Sequence, residues 1–180
     1  MFGTCLENVR TRSPLVHNIT NYVTVNDVAN ILLASGASPI MSDDIGEVEE
    51  ITTICSGLNI NIGTLNARTI PGMFAAGRKA AELGHPVLLD PVGAGASSLR
   101  TNTARELAAQ IPFTVIRGNI SEIKALSAGA GTTKGVDADV ADAVTEENLD
   151  AGVAFAKAAA AQFGTIVAIT GAIDLVADEN

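Results

Sequence analysis

The stretch Phe113 to Leu126, FTVIRGNISEIKAL, carries three residues whose types and spacing suit phosphate chemistry: Arg117, Asn119 and Glu122. A β-branched apolar run, Thr114-Val115-Ile116, passes through Arg117-Gly118 into a helical pattern with Ile120, Ile123 and Leu126, which predicts a buried strand feeding a helix. Ligands of open α/β sheets sit at the carboxyl ends of strands, where helix N-termini turn unpaired N–H groups toward anions. A guanidinium there can pair with phosphate oxygens, and a carboxylate one turn later can orient a hydrated Mg²⁺. The same Asn-x-x-Glu spacing is also a capping box, in which Asn119 and Glu122 serve only to start the helix. A second segment, Leu88-Leu89-Asp90-Pro91-Val92-Gly93-Ala94-Gly95, places Asp90 at the end of another apolar run beside glycines that let a backbone approach phosphate. A third, Ile169-Thr170-Gly171, ends a strand with a hydroxyl. Asp90, Arg117, Asn119, Glu122 and Thr170 together read as a metal-phosphate edge.

The strand ends nearer the N-terminus are of another kind. His17-Asn18-Ile19-Thr20-Asn21, Pro39-Ile40-Met41 and Ile62-Gly63-Thr64 offer amides, a thioether and backbone groups in place of charge, which suits a small neutral ligand. A lone histidine at a strand end is more often structural than catalytic, so His17 is read as a core residue. Asn18 and Asn21 could equally hold turns or cap the following helix.

These residues need strands to aim them, and the pattern supplies strands. Short apolar runs at Pro14 to Ile19, Ser38 to Met41, Leu58 to Ile62, Pro86 to Asp90, Thr114 to Ile116 and Thr165 to Ile169 alternate with helical stretches that end at Gly36, Gly84 and Gly164. Ser42-Asp43-Asp44 is expected to cap a helix through Ile45, Val48, Ile51 and Cys55. Leu58-Asn59-Ile60-Asn61-Ile62 alternates apolar with polar residues, and Pro86 to Asp90 is the clearest buried strand. Asp174 to Asp178 reads as one more strand, and Ala128 to Asp142, rich in Gly, Ala and Thr, as a loop. Strands alternating with helices predict an α/β fold with a mainly parallel central sheet, helices on both faces and right-handed crossovers, in a single domain spanning residues 1 to 180.

Composition sets the outer limits. Of the 180 residues 47% are apolar and 17% charged, enough for a substantial core. With 11 basic against 20 acidic residues the net charge is −9, and the cations are scattered, which argues against a nucleic-acid partner. Two cysteines without ligand spacing suit a reducing compartment, no run reaches membrane-spanning length, and a cytoplasmic protein without a membrane partner is expected. No strand is followed by a dinucleotide-binding glycine fingerprint, so a nicotinamide oxidoreductase is disfavoured.

Taken in order, VHNITNYVTVNDVANILLASGASPIMS, NIGTL, LLDPVGAGAS, VIRGNISEI, KGVDA and VAITGAIDLVAD resemble the hydroxyethylthiazole kinase family of the ribokinase-like superfamily, over nearly all of residues 14 to 178. The resemblance implies a kinase of thiamine biosynthesis or salvage that uses ATP and Mg²⁺ to phosphorylate the primary hydroxyl of 4-methyl-5-(2-hydroxyethyl)thiazole, as a homotrimer with active sites between subunits. It places Met41, Asn21, Gly63 and Thr64 on the thiazole, Arg117, Thr170 and Asn119 on ATP, and Asp90 and Glu122 on the metal. The sequence departs from the family pattern in two places: Asp43-Asp44 replace less charged residues, and Ala172 stands where many members carry Glu.

The family also implies a glycine-rich anion hole and a proton-accepting Cys or Asp on a later helix, so no catalytic residue is expected before Asn180. The sequence-level expectation is therefore a C-terminally truncated chain, inactive in isolation. Two other readings stay open at this level, a ribokinase-like kinase of a pyrimidine vitamin precursor and a non-catalytic thiazole- or nucleotide-binding protein.

Overall fold

The computed structural model describes residues 2–128 and 144–178; the expected loop from Ala128 to Asp142 thus lies, past its first residue, outside the described part. The chain falls into two compact units, Met1–Val87 and Leu88–Asn180.

The first unit begins with a helix, α1 (Phe2–Arg12), followed by β1 (Leu15–Ile19), α2 (Val25–Ser35), β2 (Ser38–Met41), α3 (Val48–Ile54), β3 (Gly57–Asn61) and α4 (Thr69–Leu83). Its strands lie in the order β2-β1-β3, all parallel, with His17 beside Ile40 and Leu58, and Asn18 beside Met41 and Asn59. Helices are obligatory here because parallel neighbours need a crossover. Two of them stop where expected: Gly36 and Gly84 take left-handed φ of 95° and 67°, and their N–H groups return to carbonyls of the last turn, a conformation that costs glycine least. The core of this unit is built on Ile19, Val48, Leu58, Ile60, Ile62, Met73, Ala76 and Ala80, all buried.

Two local expectations are corrected. Ser42, Asp43 and Asp44 do not cap α3. The Asp44 carboxylate accepts from the Gly46 N–H at 2.8 Å and Ser42 Oγ donates to Glu47 at 2.6 Å, so this segment is a turn, the helix starts at Val48 and Ile45 is left exposed. The strand most completely buried is β3, and it does not alternate: four of its five residues are buried, whereas β4 alternates between buried and half-buried. The amide of Asn59, at the half-buried centre of β3, donates to Asn18 Oδ1 on β1 at 3.2 Å.

The second unit holds β4 (Val87–Asp90, starting at the boundary), α5 (Ser98–Gln110), β5 (Val115–Asn119), α6 (Ile120–Ser127), a short 3₁₀ turn (Glu146–Asn148), α7 (Leu149–Phe163), β6 (Ile166–Thr170) and β7 (Leu175–Ala177). The order is β4-β5-β6-β7, parallel except for β7, which runs antiparallel to β6. Leu89, Leu107, Ile116, Ile123, Val167 and Ile169 are buried here, together with the small residues Ala156, Ala159 and Ala160 of α7. The fold is therefore the expected mainly parallel α/β arrangement. Among the described residues no helix is long and apolar enough to cross a membrane.

One packing contact in the first unit leaves no slack. At Gly72, inside α4, an added Cβ would stand 2.6 Å from the Asp43 carbonyl oxygen. Alanine ordinarily gains roughly 1 kcal/mol over glycine within a helix, but a backbone atom cannot yield like a side chain, and overpacking costs about 1–3 kcal/mol. Gly72→Ala should therefore lower the thermal unfolding midpoint, whereas the propensity gain alone would raise it.

Candidate functional site

The carboxyl ends of β4, β5 and β6 bring Asp90, Arg117, Asn119, Glu122 and Thr170 into one neighbourhood. Arg117 donates to Asp90 Oδ2 at 3.1 Å, linking β5 to β4. The pair is uneven in exposure: the arginine side chain is 49% exposed and the aspartate 13%. The guanidinium thus keeps a solvent-facing side for an anion while one edge is held.

Asn119 closes β5 and starts α6. Its Oδ1 accepts from the Glu122 N–H at 2.9 Å, and Glu122 Oε2 accepts from the Asn119 N–H at 2.8 Å, so the capping box is fully formed. The second carboxylate oxygen does something the local pattern did not reveal. Glu122 Oε1 accepts from the Gly93 N–H at 2.9 Å, which fastens the glycine turn after β4 to the start of α6. Thr170 stands beside Asn119 in the β5–β6 register, its hydroxyl donating to the Gly118 carbonyl at a long 3.4 Å.

Among the described residues no group of three or more His, Cys, Asp or Glu converges as a metal cage. The donors at this edge are two carboxylates, each already hydrogen-bonded. That set suits a hard cation that keeps much of its water and takes its other ligands from phosphate, as Mg²⁺ does, and does not suit a dehydrated all-protein site.

In the first unit, Asn18, Thr20, Tyr22, Val25, Met41, Ser42 and Asp43 enclose a cavity of about 140 Å³. Met41 lines it; Asn21, Gly63 and Thr64 are not among its lining residues and instead hold one another and the turn through Tyr22. Asn21 Oδ1 accepts from the N–H groups of Val23 and Thr24 at 3.1 and 3.0 Å and its amide donates to Asn61 Oδ1 at 3.1 Å, while Thr64 Oγ1 accepts from the Tyr22 N–H at 3.0 Å. Gly63 lies so close that a Cβ would stand 2.8 Å from Asn21 Cβ. Asn21 therefore acts as the turn-holding residue that was the alternative to a ligand contact. Thr20, Tyr22, Ser42 and Asp43 are additional lining residues; they lie one or two positions from the predicted ones, and nothing in their own types marks them.

His17 is fully buried behind this cavity. Its Nε2 lies 2.9 Å from the Ser42 carbonyl oxygen and its Nδ1 2.9 Å from Thr52 Oγ1. A carbonyl only accepts, so Nε2 carries the proton. The Thr52 hydroxyl, also 2.7 Å from the Val48 carbonyl, has one proton to give to either neighbour. Burial lowers the imidazole pKa below its ordinary 6.5, opposed by the Ser42 bond and the Glu47 charge.

Two measurable consequences follow from this geometry. Replacing Glu122 by Gln exchanges one of two accepting oxygens for an NH₂ group that faces an N–H, so Glu122→Gln should cost about 1–3 kcal/mol in denaturant unfolding. For His17, the unfolded chain takes up the proton first. The associated stability is complete above pH 6.5 and is lost as pH falls below that value toward the lowered pKa of the folded state. Unfolding midpoints between about pH 7.5 and 5.5 should thus fall more steeply for the wild type than for His17→Gln.

The comparisons with known proteins fall on the same residues. The profile of the hydroxyethylthiazole kinase family matches residues 6–180. Hydroxyethylthiazole kinase of Clostridium acetobutylicum is 66% identical over 175 residues, covering 97% of this chain and 64% of that protein, and the Clostridium beijerinckii enzyme is 57% identical over 98% and 63%. The structure of hydroxyethylthiazole kinase from Pyrococcus horikoshii superposes with a TM-score of 0.83 at 40% identity, over 97% of this chain and 62% of that one. Adenosine kinase from Schistosoma mansoni, at 14% identity and a TM-score of 0.53, shares the fold alone. The chain spans under two thirds of the length of these relatives, and with the match running through both sets of strand ends it belongs to the hydroxyethylthiazole kinase family.

Proposed function

We propose that the protein phosphorylates the primary hydroxyl of 4-methyl-5-(2-hydroxyethyl)thiazole, with ATP as donor and Mg²⁺ as cofactor, in thiamine biosynthesis or salvage. The observation that carries this reading is the division of chemistry between the two units. One has a small cavity walled mainly by a thioether, an amide, an aliphatic side chain and hydroxyls, with one carboxylate, Asp43, at its wall; the other has a strand edge with a half-exposed guanidinium and two carboxylates. The first suits a neutral heterocycle and the second a polyphosphate.

In this proposal Met41 packs against the thiazole ring, while Asn21, Gly63 and Thr64 hold the turn that shapes its pocket. The Thr20 hydroxyl, buried and without a partner among the described residues, adds a polar group at that wall. Arg117 pairs with phosphate oxygens through its open side, Thr170 exchanges its long bond to Gly118 for a phosphate contact, and Asn119 holds the start of α6 with its N–H groups toward the nucleotide. Asp90 and Glu122 would hold Mg²⁺ through its waters. The ion would neutralise phosphate charge; the protein's part is to align donor and acceptor and keep charge fixed where phosphoryl transfer develops it.

Assembly as a homotrimer, with active sites between subunits, is part of the same proposal. It draws support from α2, an apolar helix in which no residue is buried. Ile31 and Leu33 on it are 63% and 58% exposed, and Val23, two residues before it, is 88% exposed, a surface that a second copy would cover. A cytoplasmic setting fits two free cysteines, one exposed and one buried.

The reading is tested on the natural gene product by following thiazole phosphate formation by mass spectrometry, with the thiazole and pyrimidine alcohols as competing substrates. Formation of thiazole phosphate is expected, with Arg117→Ala raising the KM for ATP about tenfold and leaving that for the thiazole near wild type. Preferred turnover of the pyrimidine alcohol would sink the substrate assignment, and thiazole binding without phosphate transfer would sink the activity.

A further inference from the structure

Three features lie outside the roles assigned so far. A cavity of about 330 Å³ lined by residues that include Arg105, Leu126, Ser127 and Gln162 has Arg105 committed to the Ala125 carbonyl and Gln162 to the Ser127 carbonyl, so its polar groups serve to close α6. A cavity of about 320 Å³ between α7, β6 and β7, lined by Val153, Leu175 and Val176 with Lys157 and Asp178 at its wall, is mostly apolar, and nothing in the structure says what covers it. The third feature, a polar chain beside the ligand cavity of the first unit that runs from buried His17, Thr52 and Ser42 to exposed Glu47, goes further.

That chain has four members. His17 on β1 contacts Thr52 on α3 through Nδ1 and donates to the Ser42 carbonyl through Nε2. Ser42 Oγ donates to Glu47 Oε1 at 2.6 Å, and Glu47 is the residue from which α3 starts. Ser42 is the middle residue of the wall formed by Met41, Ser42 and Asp43. Both polar handles of that residue, its carbonyl and its hydroxyl, are therefore held by residues that do not line the cavity. A backbone tie from the Ser42 N–H to the Asn18 carbonyl is long at 3.4 Å. Across the cavity the Tyr22 hydroxyl reaches Asp43 Oδ2 at 3.4 Å, also near the limit. The short bonds on Ser42 come from residues outside the lining. Met41 is held by its pairing with Asn18 and Asp43 by its close approach to Gly72, so Ser42 between them is the point at which His17 acts on the wall.

We propose that His17 is a positioning residue for ligand recognition: its bond to the Ser42 carbonyl sets where Met41 and Asp43 stand against the ligand. The inference rests on the thiazole reading of this cavity. It concerns one arm of the imidazole only. The Nε2 arm reaches the wall; the Nδ1 arm reaches Thr52, which faces the helix and does not line the cavity. A residue that merely filled the core would make no such distinction.

The two arms can be separated by substitution. Gln places its terminal amide near the site of Nε2 and keeps a donor for Ser42, whereas Asn places it near Nδ1 and loses that donor. Thr52→Val removes the other arm at constant size. Calorimetric binding of the thiazole alcohol and, separately, of Mg·ATP is measured for each variant of the natural gene product, alongside unfolding midpoints. Thiazole affinity should fall about tenfold in His17→Asn, be largely restored in His17→Gln, and be unchanged in Thr52→Val even where that variant is less stable; Mg·ATP affinity should be the same in all. Thiazole affinities that track stability across the three variants, or that are equal in His17→Asn and His17→Gln, overturn the inference. Absence of thiazole binding in the wild type overturns instead the reading on which it rests.

Discussion

A parallel strand that hands its chain to a helix leaves N–H groups at the junction that neither element can satisfy, and burying them unpaired costs about 1–3 kcal/mol each. In this protein side-chain oxygens take that load. Glu122 accepts from Asn119 and Gly93, Asn21 from Val23 and Thr24, Asn61 from Gly63, and Asn66 from Arg68 and Thr69. The polar residues at the carboxyl ends of the strands are thus first of all what allows those ends to exist. Their chemical use is built on top of that requirement, which is why the same residues read both as caps and as ligand contacts.

Glu122 is the clearest instance. One carboxylate closes its own helix start and also grips the turn after the neighbouring strand, so the negative charge is fixed by two N–H donors before any ligand arrives. A preorganised charge needs no reorganisation during a reaction, which is where electrostatic catalysis gains most. Arg117 differs: it is held by one bond to Asp90 and keeps half its surface free. A fixed anion beside an adjustable cation suits a ligand that brings its own negative charge.

Much of this was legible in the chain. Strands declared themselves through β-branched runs, helices through glycines at their ends, and the capping box through an Asn followed three residues later by Glu. Legibility failed wherever the deciding partner is distant. The bond from Glu122 to Gly93 spans 29 residues, and that from His17 to Ser42 spans 25; no local pattern encodes either. At Ser42-Asp43-Asp44 the local signal pointed the wrong way. Those residues have the makeup of a helix cap, but the Ser42 carbonyl is drawn to a histidine and its hydroxyl to Glu47, and the helix waits until Val48. β3 failed for a related reason: Asn61 signalled an outward face, yet it is buried, its Oδ1 met by the amide of Asn21, 40 residues away in the chain.

The strand orders also carry a history of how the chain assembles. β1 lies between β2 and β3, and its register partners Pro39 and Gly57 stand 23 and 41 residues beyond Val16. In the other unit β5 lies between β4 and β6, at separations of 27 and 51 residues from Leu88 and to Ile166. Closing the longer loop of each pair costs only roughly half a kcal/mol more than the shorter, because the entropy grows with the logarithm of length. Neither middle strand therefore has a thermodynamic reason to wait for one partner before the other. During synthesis the order is set by arrival instead: β1 meets β2 while β3 is still unmade, and β4 is already present when β5 emerges. In each unit the middle strand thus has one neighbour available well before the other, so the polar residues near its carboxyl end, His17 and Asn18 in one unit and Arg117 and Asn119 in the other, are flanked on one side before the second flank is made.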